Sequence, residues 1–421
     1  MKMLFVVSYP PYPPAQGGEK VIYHRLQALA DTHDIYLVCP EPPPEQREKT
    51  HRALSTVCKE VHFYARSQRL RTGRLQSTLR LLYNSLFNPL PQAAIQALGE
   101  NTVEMCEAIA ARVHLDLINF EHAYTYAVLE PALKRPASPL SRLDCVACEQ
   151  NVEHQVWEDA ALNPLITGLK RWLLKREAKK MFEYTRRIYP NFRRIIYISA
   201  ADAEIFKRLG WNANLSTASV MLPAPLVFKT PEMKNRPQLI FASGLGYFPN
   251  EEGLLWFYEK IWPLVRSRVP TARLVITGAP TPRINRAVAH DAAVTLTGFL
   301  DKPHFEKILL ESDASISPIR LGSGIKMKNI EAMSYAMPMI ATPESMRGIT
   351  CTDGEDVLIA GTTQAFADAT VRLLTDAALR EKLSANARKN FLENYSCEMA
   401  LHTWKTFYAQ PQLQAATAAR T

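Results

Sequence analysis

Short apolar segments alternate with longer amphipathic segments along the first half of the chain. The apolar segments are rich in β-branched residues and comprise Met3–Ser8, Ile35–Cys39, Val61–Tyr64, Leu115–Glu121, Leu143–Glu149 and Ile195–Ser199. Helical patterns such as Glu19–Thr32 separate them. Nearly continuous apolar strands that alternate with helices are typical of a parallel sheet covered on both faces. The pattern therefore predicts a doubly wound α/β domain near residues 1–220.

The second half follows the same plan without close sequence similarity to the first. Its predicted strands are Leu239–Ser243, Arg273–Thr277, Val294–Thr297, Ala314–Pro318, Met339–Thr342 and Val357–Ala360, with helices near 250–268, 302–311, 325–335 and 363–375. This predicts a second doubly wound domain near 225–395, joined to the first by the proline-rich segment 222–237. A last helix over 396–410 carries Trp404, Phe407 and Tyr408, and these aromatic side chains require a partner surface.

Length and composition agree with two globular domains. The chain has 421 residues, of which 47% are hydrophobic, and a single core rarely grows beyond about 250–300 residues. No apolar run approaches the roughly 20 residues that a membrane-spanning helix needs. The apolar part of the N-terminus is too short for a signal peptide and is followed by prolines, so a buried first strand is expected there.

The cysteines favour reduced thiols in a cytosolic protein. There are seven, an odd number, and most lie within apolar segments. Cys145 and Cys148 form a C-x-x-C pair, but they lie inside a predicted strand, and no second Cys or His pair completes a zinc site. We therefore expect neither a metal ion nor a cofactor.

The net charge of +9 is unevenly distributed. Five arginines and no acidic residue occur between Arg66 and Arg80, and a second basic block extends from Lys170 to Arg194 with Trp172 and Phe182 among its apolar positions. Basic amphipathic segments of this kind bind anionic membrane surfaces, although a solvated helix face packed on its own core gives the same pattern. Nucleic-acid binding is not expected, because no recognised DNA- or RNA-binding module is present.

The segment 317–342 holds the strongest candidate chemistry. It predicts a buried strand, the loop Gly322-Ser323-Gly324, a helix and another buried strand. Glycines let a backbone approach a ligand closely, and a helix N-terminus attracts anions. Within a helix that began near Gly324, Glu331 would lie within about 20° of the same face and roughly 10 Å away. That is suitable for a nucleoside diphosphate, although Lys328 and Glu331 could equally form a surface ion pair.

Other glycine loops follow the first strand of each domain, at Gly17-Gly18 and at Gly244 and Gly246. Neither is the full G-x-G-x-x-G dinucleotide motif, which disfavours an NAD-dependent oxidoreductase. The sequence also lacks a D-x-D pair for a divalent metal, the H-E-x-x-H zinc motif and the G-x-S-x-G nucleophile motif. Because ligands bind beyond the carboxyl ends of strands in doubly wound sheets, we expect a cleft between the two domains.

These motifs resemble family 4 of the retaining glycosyltransferases, which have the GT-B fold. The resemblance covers nearly the whole chain and is carried by FASGLGYFPNEEGLLWF (241–257), VITG (275–278), TGFL (297–300), PIRLGSGIKMKNIEAMSYAMPMIAT (318–342), SYPPYPPAQGG, NFEH and EQNVEH. The branch that builds bacterial exopolysaccharide or cell-envelope glycans is the most similar. It implies metal-independent transfer of a hexose from a nucleotide diphosphate sugar, with retained configuration, to a glycan or lipid-linked acceptor at the cytoplasmic face of the membrane.

The resemblance also implies roles for individual residues. Its catalytic positions are His122, Lys326 and Glu331, with His122 near the donor sugar and Glu331 on the donor ribose. Arg320, Lys326 and Lys328 are expected to bind the diphosphate, whose developing charge catalysis must stabilise. The complete donor-side set is Gly17, Gly18, Gly244, Arg320, Ser323, Gly324, Ile325, Lys326, Lys328 and Glu331. Glu149 and Asn151 are acceptor-side candidates.

Two positions depart from the family pattern. Ser323 replaces the first glutamate of the E-x7-E motif, so the backbone N–H groups of Gly324 and Ile325 are expected to contribute more to donor binding. The arginine and lysine that usually follow the first strand of the second domain are absent, and Asn250 lies near the lysine position. Two alternatives stay open: a nucleotide-sugar epimerase or hydrolase of the same fold, and a non-catalytic nucleotide-sugar-binding relative. The resemblance places the C-terminal helix on the first domain.

Overall fold

The computed structural model describes residues 1–66, 82–164, 166–211, 214–230 and 236–409. The chain divides into two compact units. The first comprises Met1–Met221 together with the C-terminal segment that begins at Leu401, and the second comprises Leu222–Ala400. Most of the arginine-rich segment 66–80 lies outside the described residues.

The first unit contains a seven-stranded sheet in which every neighbouring pair is parallel. Its strands are β1 (Lys2–Val6), β2 (Asp34–Pro40), β3 (Glu60–Tyr64), β4 (Leu117–Glu121), β5 (Asp144–Glu149), β6 (Arg194–Tyr197) and β7 (Leu215–Thr217), in the order β3-β2-β1-β4-β5-β6-β7. The six predicted strands are confirmed, and the N-terminal segment is the buried first strand. The three-residue β7 was not predicted, because it is too short to show an apolar pattern.

Helices connect these strands and cover the sheet. They are α1 (Gly17–Ala30), α2 (Pro44–Leu54), α3 (82–87), α4 (Gln92–Ala97), α5 (Thr102–Arg112), α6 (Tyr126–Leu133), α7 (Glu153–Leu162), α8 (Gly168–Ile188) and α9 (Ala200–Arg208). The core packs strand residues such as Leu4, Ile118 and Ala147 with helical residues such as Ile109 and Leu129.

The second unit contains a six-stranded parallel sheet. Its strands are β8 (Gln238–Ala242), β9 (Arg273–Thr277), β10 (Val294–Gly298), β11 (Ala314–Ser317), β12 (Met339–Ala341) and β13 (Leu358–Ile359), in the order β10-β9-β8-β11-β12-β13. All of them coincide with predicted strands to within a few residues. The predicted class, two doubly wound parallel-sheet units, is therefore confirmed.

A π-helical segment interrupts the helices of the second unit at one point. They are α10 (Phe248–Trp256), α11 (Trp262–Arg268), α12 (Pro282–Val288), α13 (Lys302–Glu311), α14 (Met327–Ser334), α15 (Thr363–Thr375) and α16 (Ala377–Asn394). The predicted helix 250–268 is confirmed, and within it a π-helical turn, Phe257–Ile261, separates α10 from α11. Pro263 follows that turn and has no N–H to donate to the carbonyl four residues earlier in the helix. The missing hydrogen bond accounts for the widened turn.

The described part of the predicted linker packs on the second unit. Leu222 donates its N–H to Tyr395 O (3.0 Å), and Lys229 donates its N–H to Tyr335 O (2.8 Å) and its Nζ to Leu310 O (3.0 Å). Residues 231–235 of the linker lie outside the described residues. The segment 222–230 is thus fixed at both ends, since these bonds satisfy its backbone and its buried lysine.

The C-terminal helix, α17 (Cys397–Ala409), supplies the aromatic face that the sequence predicted. Trp404 and Tyr408 are buried in the first unit, where Trp404 donates Nε1–H to Ser219 O and lies 4.4 Å from the guanidinium of Arg25. Tyr408 donates its hydroxyl hydrogen to Asn119 Oδ1 at 2.8 Å. Within the described residues, no helix is both long and apolar enough to span a membrane.

Candidate functional site

Each unit has its topological switch point beside its first strand. In the first unit the strand order reverses between β1 and β4, and in the second it reverses between β8 and β11. The loops that leave neighbouring strands at such a point diverge and open a crevice beyond their carboxyl ends. The candidate residues cluster at these two points.

The loop between β11 and α14 has the backbone that its glycines allow. Gly322 has φ 101° and Gly324 has φ 76°, both in the region that side chains with a Cβ disfavour. The predicted helix start near Gly324 is wrong: α14 begins at Met327, and Lys326 at its N-cap has ψ 86°. Gly324 and Glu331 therefore do not share a helix face, and the spacing argument does not hold. Gly324 and Ile325 instead belong to the loop that precedes the helix.

Lys328 is the residue that connects the two loops at this switch point. Its Nζ donates to Ser243 Oγ (3.1 Å), immediately after β8, and to Asn250 Oδ1 (2.9 Å) on α10. It also lies 5.0 Å from the centre of the Phe241 ring. Burial, with a smaller contribution from the charge of Lys326, lowers the pKa of Lys328 to about 7. A desolvated amine at a glycine loop gains most when an anion restores its charge.

The other two predicted diphosphate ligands are held differently. Lys326 donates Nζ to Gly322 O and to Gly324 O (3.0 Å), so it stabilises the fold of its own loop. Arg320 pairs with Glu252 on α10, and its guanidinium lies 4.6 Å from the centre of the Trp256 ring. Of the three cations, Lys328 is the one that the structure places between both loops.

Glu331 follows Lys328 by three residues on α14, so the two side chains emerge from neighbouring positions of the helix surface. Both line a narrow cavity with Ala242, at the end of β8, and Phe305 on α13. Ser323 lies between the two glycines of the loop and is partly buried. The carboxylate of Glu331 is thus on the same side of the sheet edge as the amine of Lys328.

Close backbone contacts hold the loops of this switch point together. A Cβ on Gly253 of α10 would lie 2.5 Å from Pro318 O, and a Cβ on Gly278 would lie 2.2 Å from Ser243 O. Asn250 reinforces the loop after β8 by donating Nδ2 to Gly244 O at 2.8 Å. Gly244 itself has open space around it. The role of Gly253 and Gly278 is close packing, which sequence spacing alone did not reveal.

In the first unit, His122 follows β4 directly and has a strained backbone. Its φ of 63° is unusual for a residue with a Cβ, and the residue is 3% exposed. The ring stacks on Tyr124 at 5.1 Å, and Nε2 lies 3.4 Å from the hydroxyl of Tyr9. Strain of this kind persists only where surrounding contacts over-determine it, and it is concentrated at functional sites.

Carboxylates surround the other ring nitrogen of His122. Nδ1 lies 3.0 Å from Glu153 Oε1 and 3.6 Å from Glu149 Oε2. Burial alone would lower the pKa of His122, but the neighbouring oxygen atoms raise it well above its usual range. In decreasing order of effect, these belong to Tyr124, Tyr9, Glu153 and Glu149. The surroundings of the buried ring therefore favour the protonated form of His122.

Glu149 is positioned to support His122. It is 2% exposed, and its Oε1 accepts hydrogen bonds from Ala123 N (3.1 Å) and the hydroxyl of Tyr189 (3.2 Å). Burial raises the pKa of Glu149, and the hydrogen bond and charge of His122 oppose that rise. Parallel pairing of Glu121 on β4 with Cys148 on β5 brings Glu149 next to His122. The acceptor-side role of Glu149 stays a prediction. Asn151, two residues later, is partly exposed.

The glycines after β1 approach the same cluster. Gly17 and Gly18 begin α1, and a Cβ on Gly18 would lie 2.5 Å from the Tyr9 hydroxyl and 2.9 Å from Gln150 Oε1. Tyr9 in turn contacts His122. The structure thus brings Gly17, Gly18 and His122 to one switch point. Tyr9 and Glu153, which sequence spacing did not single out, complete it.

The cluster has a donor set that metals also use. Ligand atoms of His122, Glu149 and Glu153 all lie within 4.8 Å of one another, and across the described part of the chain this is the one such group. Metal independence stays a prediction. The cysteines, including Cys145 and Cys148, are free thiols.

Comparison with known proteins agrees with these features. Residues 236–376 match the family described as Glycosyl transferases group 1. Over 402 residues the chain is 23% identical to an uncharacterized 44.6 kDa protein in the cps region of Klebsiella pneumoniae, covering 94% of this chain and 96% of that protein. The family match contains β8, the loop after β11, and α14.

Solved structures show the fold. Sucrose-phosphate synthase from Thermosynechococcus elongatus is similar with a TM-score of 0.69 at 15% identity, over 97% of this chain and 98% of that one. TarM of S. aureus, solved as a point mutant in complex with Fondaparinux, alpha-GlcNAc-glycerol and UDP, is similar with a TM-score of 0.68 at 13% identity, over 97% and 100%. These likenesses confirm the predicted GT-B fold.

Proposed function

We propose that the protein is a retaining, metal-independent glycosyltransferase of the hexosyltransferase type. It transfers a sugar from a nucleotide diphosphate sugar to a glycan or lipid-linked acceptor during synthesis of capsule or other cell-envelope polysaccharide. The match of residues 236–376 to the group 1 glycosyltransferases supports the reaction class. The similar protein in a cps region supports the pathway class, and the UDP complex of TarM supports a nucleotide donor.

The observation that carries the proposal is the amine of Lys328 at the switch point of the second unit. It lies between the loop after β8 and α14, beside a loop whose glycines hold positive φ. Departure of the nucleotide leaves negative charge on the diphosphate, and a preorganised cation with loop N–H groups stabilises that charge. The N–H groups of Gly324 and Ile325 supply the second part of this anion site, and Gly244 leaves room beside it.

The remaining residues have roles consistent with this placement. Glu331 accepts hydrogen bonds from the ribose hydroxyls of the donor. Ser323, in place of the usual carboxylate, donates a hydroxyl hydrogen bond to the donor sugar, and Arg320 and Lys326 hold the loop. At the switch point of the first unit, Gly17, Gly18 and His122 bind the donor sugar, with Glu149 orienting His122 and Asn151 contacting the acceptor.

The chemistry breaks the bond between the anomeric carbon and the phosphate oxygen. An acceptor hydroxyl forms the new bond from the same face and gives its proton to the departing phosphate oxygen, so the configuration is retained. The function of the protein is to fix both substrates and to stabilise the departing diphosphate. No cofactor takes part in this reaction. It takes place in the cytoplasm, where the protein binds peripherally to the inner face of the plasma membrane.

Calorimetric titration with UDP, GDP, ADP and their sugars tests the donor assignment. One nucleotide series should bind and raise the melting temperature, since a ligand that binds only the folded state stabilises it by mass action. Glu331→Ala should weaken that binding strongly, whereas Glu311→Ala on α13 should leave it unchanged. Undiminished affinity of the Glu331 variant would overturn the role of this carboxylate.

Product analysis tests the reaction itself. With donor and a lipid-linked glycan acceptor, we expect a product with the anomeric configuration of the donor, formed equally well with and without EDTA. Loss of activity on chelation, restored by a divalent ion, would refute metal independence and point to His122, Glu149 and Glu153. Consumption of the donor without any acceptor would identify an epimerase or hydrolase instead.

A further inference from the structure

The described residues of α3, 82–87, expose a cluster of apolar side chains. Tyr83 is 62% exposed, Phe87 is 71% exposed, and their rings lie 5.4 Å apart on one face of the helix. Leu86 beside them is 38% exposed. Single exposed apolar residues are ordinary, but neighbouring aromatic rings in solvent are characteristic of interaction surfaces.

The N-terminal half of α8 combines the same feature with positive charge. Leu169 and Trp172 are 58% and 49% exposed, and Lys170, Lys175, Arg176 and Lys179 are exposed around them. The only acidic residue between positions 164 and 182 is Glu177, and it is completely buried. The exposed side of this helix segment therefore carries cations and apolar groups without acidic neighbours of its own.

Hydrogen bonds join α3 and α8 into one surface. Arg176 donates Nε to Ser85 O (2.8 Å), and Lys180 donates Nζ to Asn84 O (2.9 Å). The guanidinium of Arg176 also lies 5.8 Å from the centre of the Trp172 ring. Beneath the surface, the buried Glu177 accepts from Gln92 N at 2.8 Å and so fixes α8 to the start of α4.

We infer that these two helices form a docking surface for an anionic lipid bilayer. We call it the basic aromatic face and define it by Tyr83, Phe87, Leu169, Trp172, Lys175 and Lys179. Aromatic and leucine side chains enter the headgroup region, and the lysines remain in water beside the lipid phosphates. Because the opposite side of α8 is packed in the core, the helix lies along the membrane and does not cross it.

Charge distinguishes a bilayer from a second copy of the chain. A self-complementary contact would place the cations of one copy against those of the other, and like charges at such an interface repel. An anionic leaflet has the opposite potential, which attracts each surface Lys or Arg by about 1 kcal/mol. The combination of exposed rings and exposed cations therefore fits a lipid surface.

This inference assigns the membrane location in the proposed function to a specific surface. It rests on the proposed function only in taking the acceptor to be lipid-linked. Vesicle binding is measured without donor or acceptor, so a failure of this inference and a failure of the proposed transferase are distinguishable.

Co-sedimentation of the full chain with vesicles is the test. We expect binding to phosphatidylglycerol–phosphatidylcholine vesicles and little binding to pure phosphatidylcholine. Lys175→Gln/Lys179→Gln should weaken binding on the order of 30-fold, since two charges are lost, whereas the matched Lys207→Gln/Arg208→Gln pair on α9 should bind as the wild type. Trp172→Ala should weaken binding about tenfold through lost apolar burial.

A second readout shows whether Trp172 itself enters the lipid. Brominated lipids should quench part of the tryptophan fluorescence of the wild type, and Trp172→Phe should remove that quenching while preserving binding. Equal binding to neutral and anionic vesicles, or quenching that persists in Trp172→Phe, would overturn the inference. Concentration-dependent dimerisation that Trp172→Ala abolishes would assign the face to a second copy. Reduced transferase activity of Trp172→Ala on a soluble acceptor, measured without vesicles, would assign the face to acceptor binding.

Discussion

At the scale of single residues, Lys328 makes donor binding dependent on protons. Its pKa is lowered to about 7 by burial, so above that pH the folded protein without donor holds this amine largely neutral. A bound diphosphate favours the ammonium form. Calorimetry at pH 8 in buffers of different ionisation enthalpy should therefore show uptake of close to one proton per donor, and affinity should fall as pH rises from 7.

Lys328→Met isolates this effect. It should abolish the proton uptake and weaken donor binding about 10- to 100-fold, the value of a lost charge-assisted hydrogen bond. Lys302→Met, an exposed lysine on α13, should keep both properties. Proton uptake that persists in the Lys328 variant would show that another group takes up the proton.

His122 makes the folding stability of the protein depend on pH. Because its folded-state pKa is raised, its contribution to the free energy of unfolding is complete below about pH 6.5 and is lost as pH rises through the folded-state pKa. We expect His122→Gln to remove a decline of up to about 1.4 kcal/mol per pH unit, seen by urea unfolding between pH 7 and 9.

His114 is an exposed histidine of the same unit, so His114→Gln is the matched control. This variant should keep the wild-type decline of unfolding free energy with pH. The contribution of Lys328, which rises with pH over the same range, is common to both variants and cancels in the comparison. An identical pH dependence in the wild type and His122→Gln would show that His122 is neutral in the folded protein.

At the scale of elements, the contact between α10 and the loop after β11 shapes the proposed donor site. Gly253→Ala would place a Cβ 2.5 Å from Pro318 O, so the helix and the loop must separate. We expect a loss of about 1–3 kcal/mol in unfolding free energy and weaker nucleotide binding by calorimetry. Gly246→Ala, where a Cβ meets nothing within 4 Å, should retain both; equal behaviour of the two variants would contradict the packing argument.

Elements with a local signal were predictable from sequence. The bounds of α13 and α15 agree with the prediction, because Asp301 and Thr362 cap them by accepting hydrogen bonds from the N–H groups of His304 and Ala365. The start of α14 was not, because the positive φ of Gly324 delays helix formation by a few residues. A repeat of glycines in sequence does not distinguish a helix start from a loop.

Contacts between distant positions were not predictable either. His122 and Glu149 were identified separately, but their pairing depends on the register between β4 and β5, in which Glu121 lies beside Cys148. Similarly, Gly253 meets Pro318 only because β8 and β11 are neighbours in the sheet. A single sequence shows which residues end each strand, whereas the order of the strands decides which of these ends meet.

At the scale of the whole molecule, the C-terminal helix α17 contributes side chains to the core of the first unit. Trp404 and Tyr408 of α17 are buried against Arg25, Phe5 and Asn119. Asn119 also donates to Glu121, which forms a buried ion pair with Arg25. Loss of an aromatic contact here therefore leaves buried charges with fewer neighbours. It lowers the free energy of unfolding by more than the lost apolar area alone would.

Trp404→Ala should consequently destabilise the first unit by about 3–5 kcal/mol and leave the second unit intact. Hydrogen exchange of backbone amides measures both units in one sample. Protection should fall along β4 and β5 and remain unchanged along β9 and β10, because only the first core has lost a buried ring. Met399→Ala, at a 54% exposed position of the same helix, should preserve protection throughout. A uniform fall in both sheets would instead mean that the two units unfold as one cooperative body.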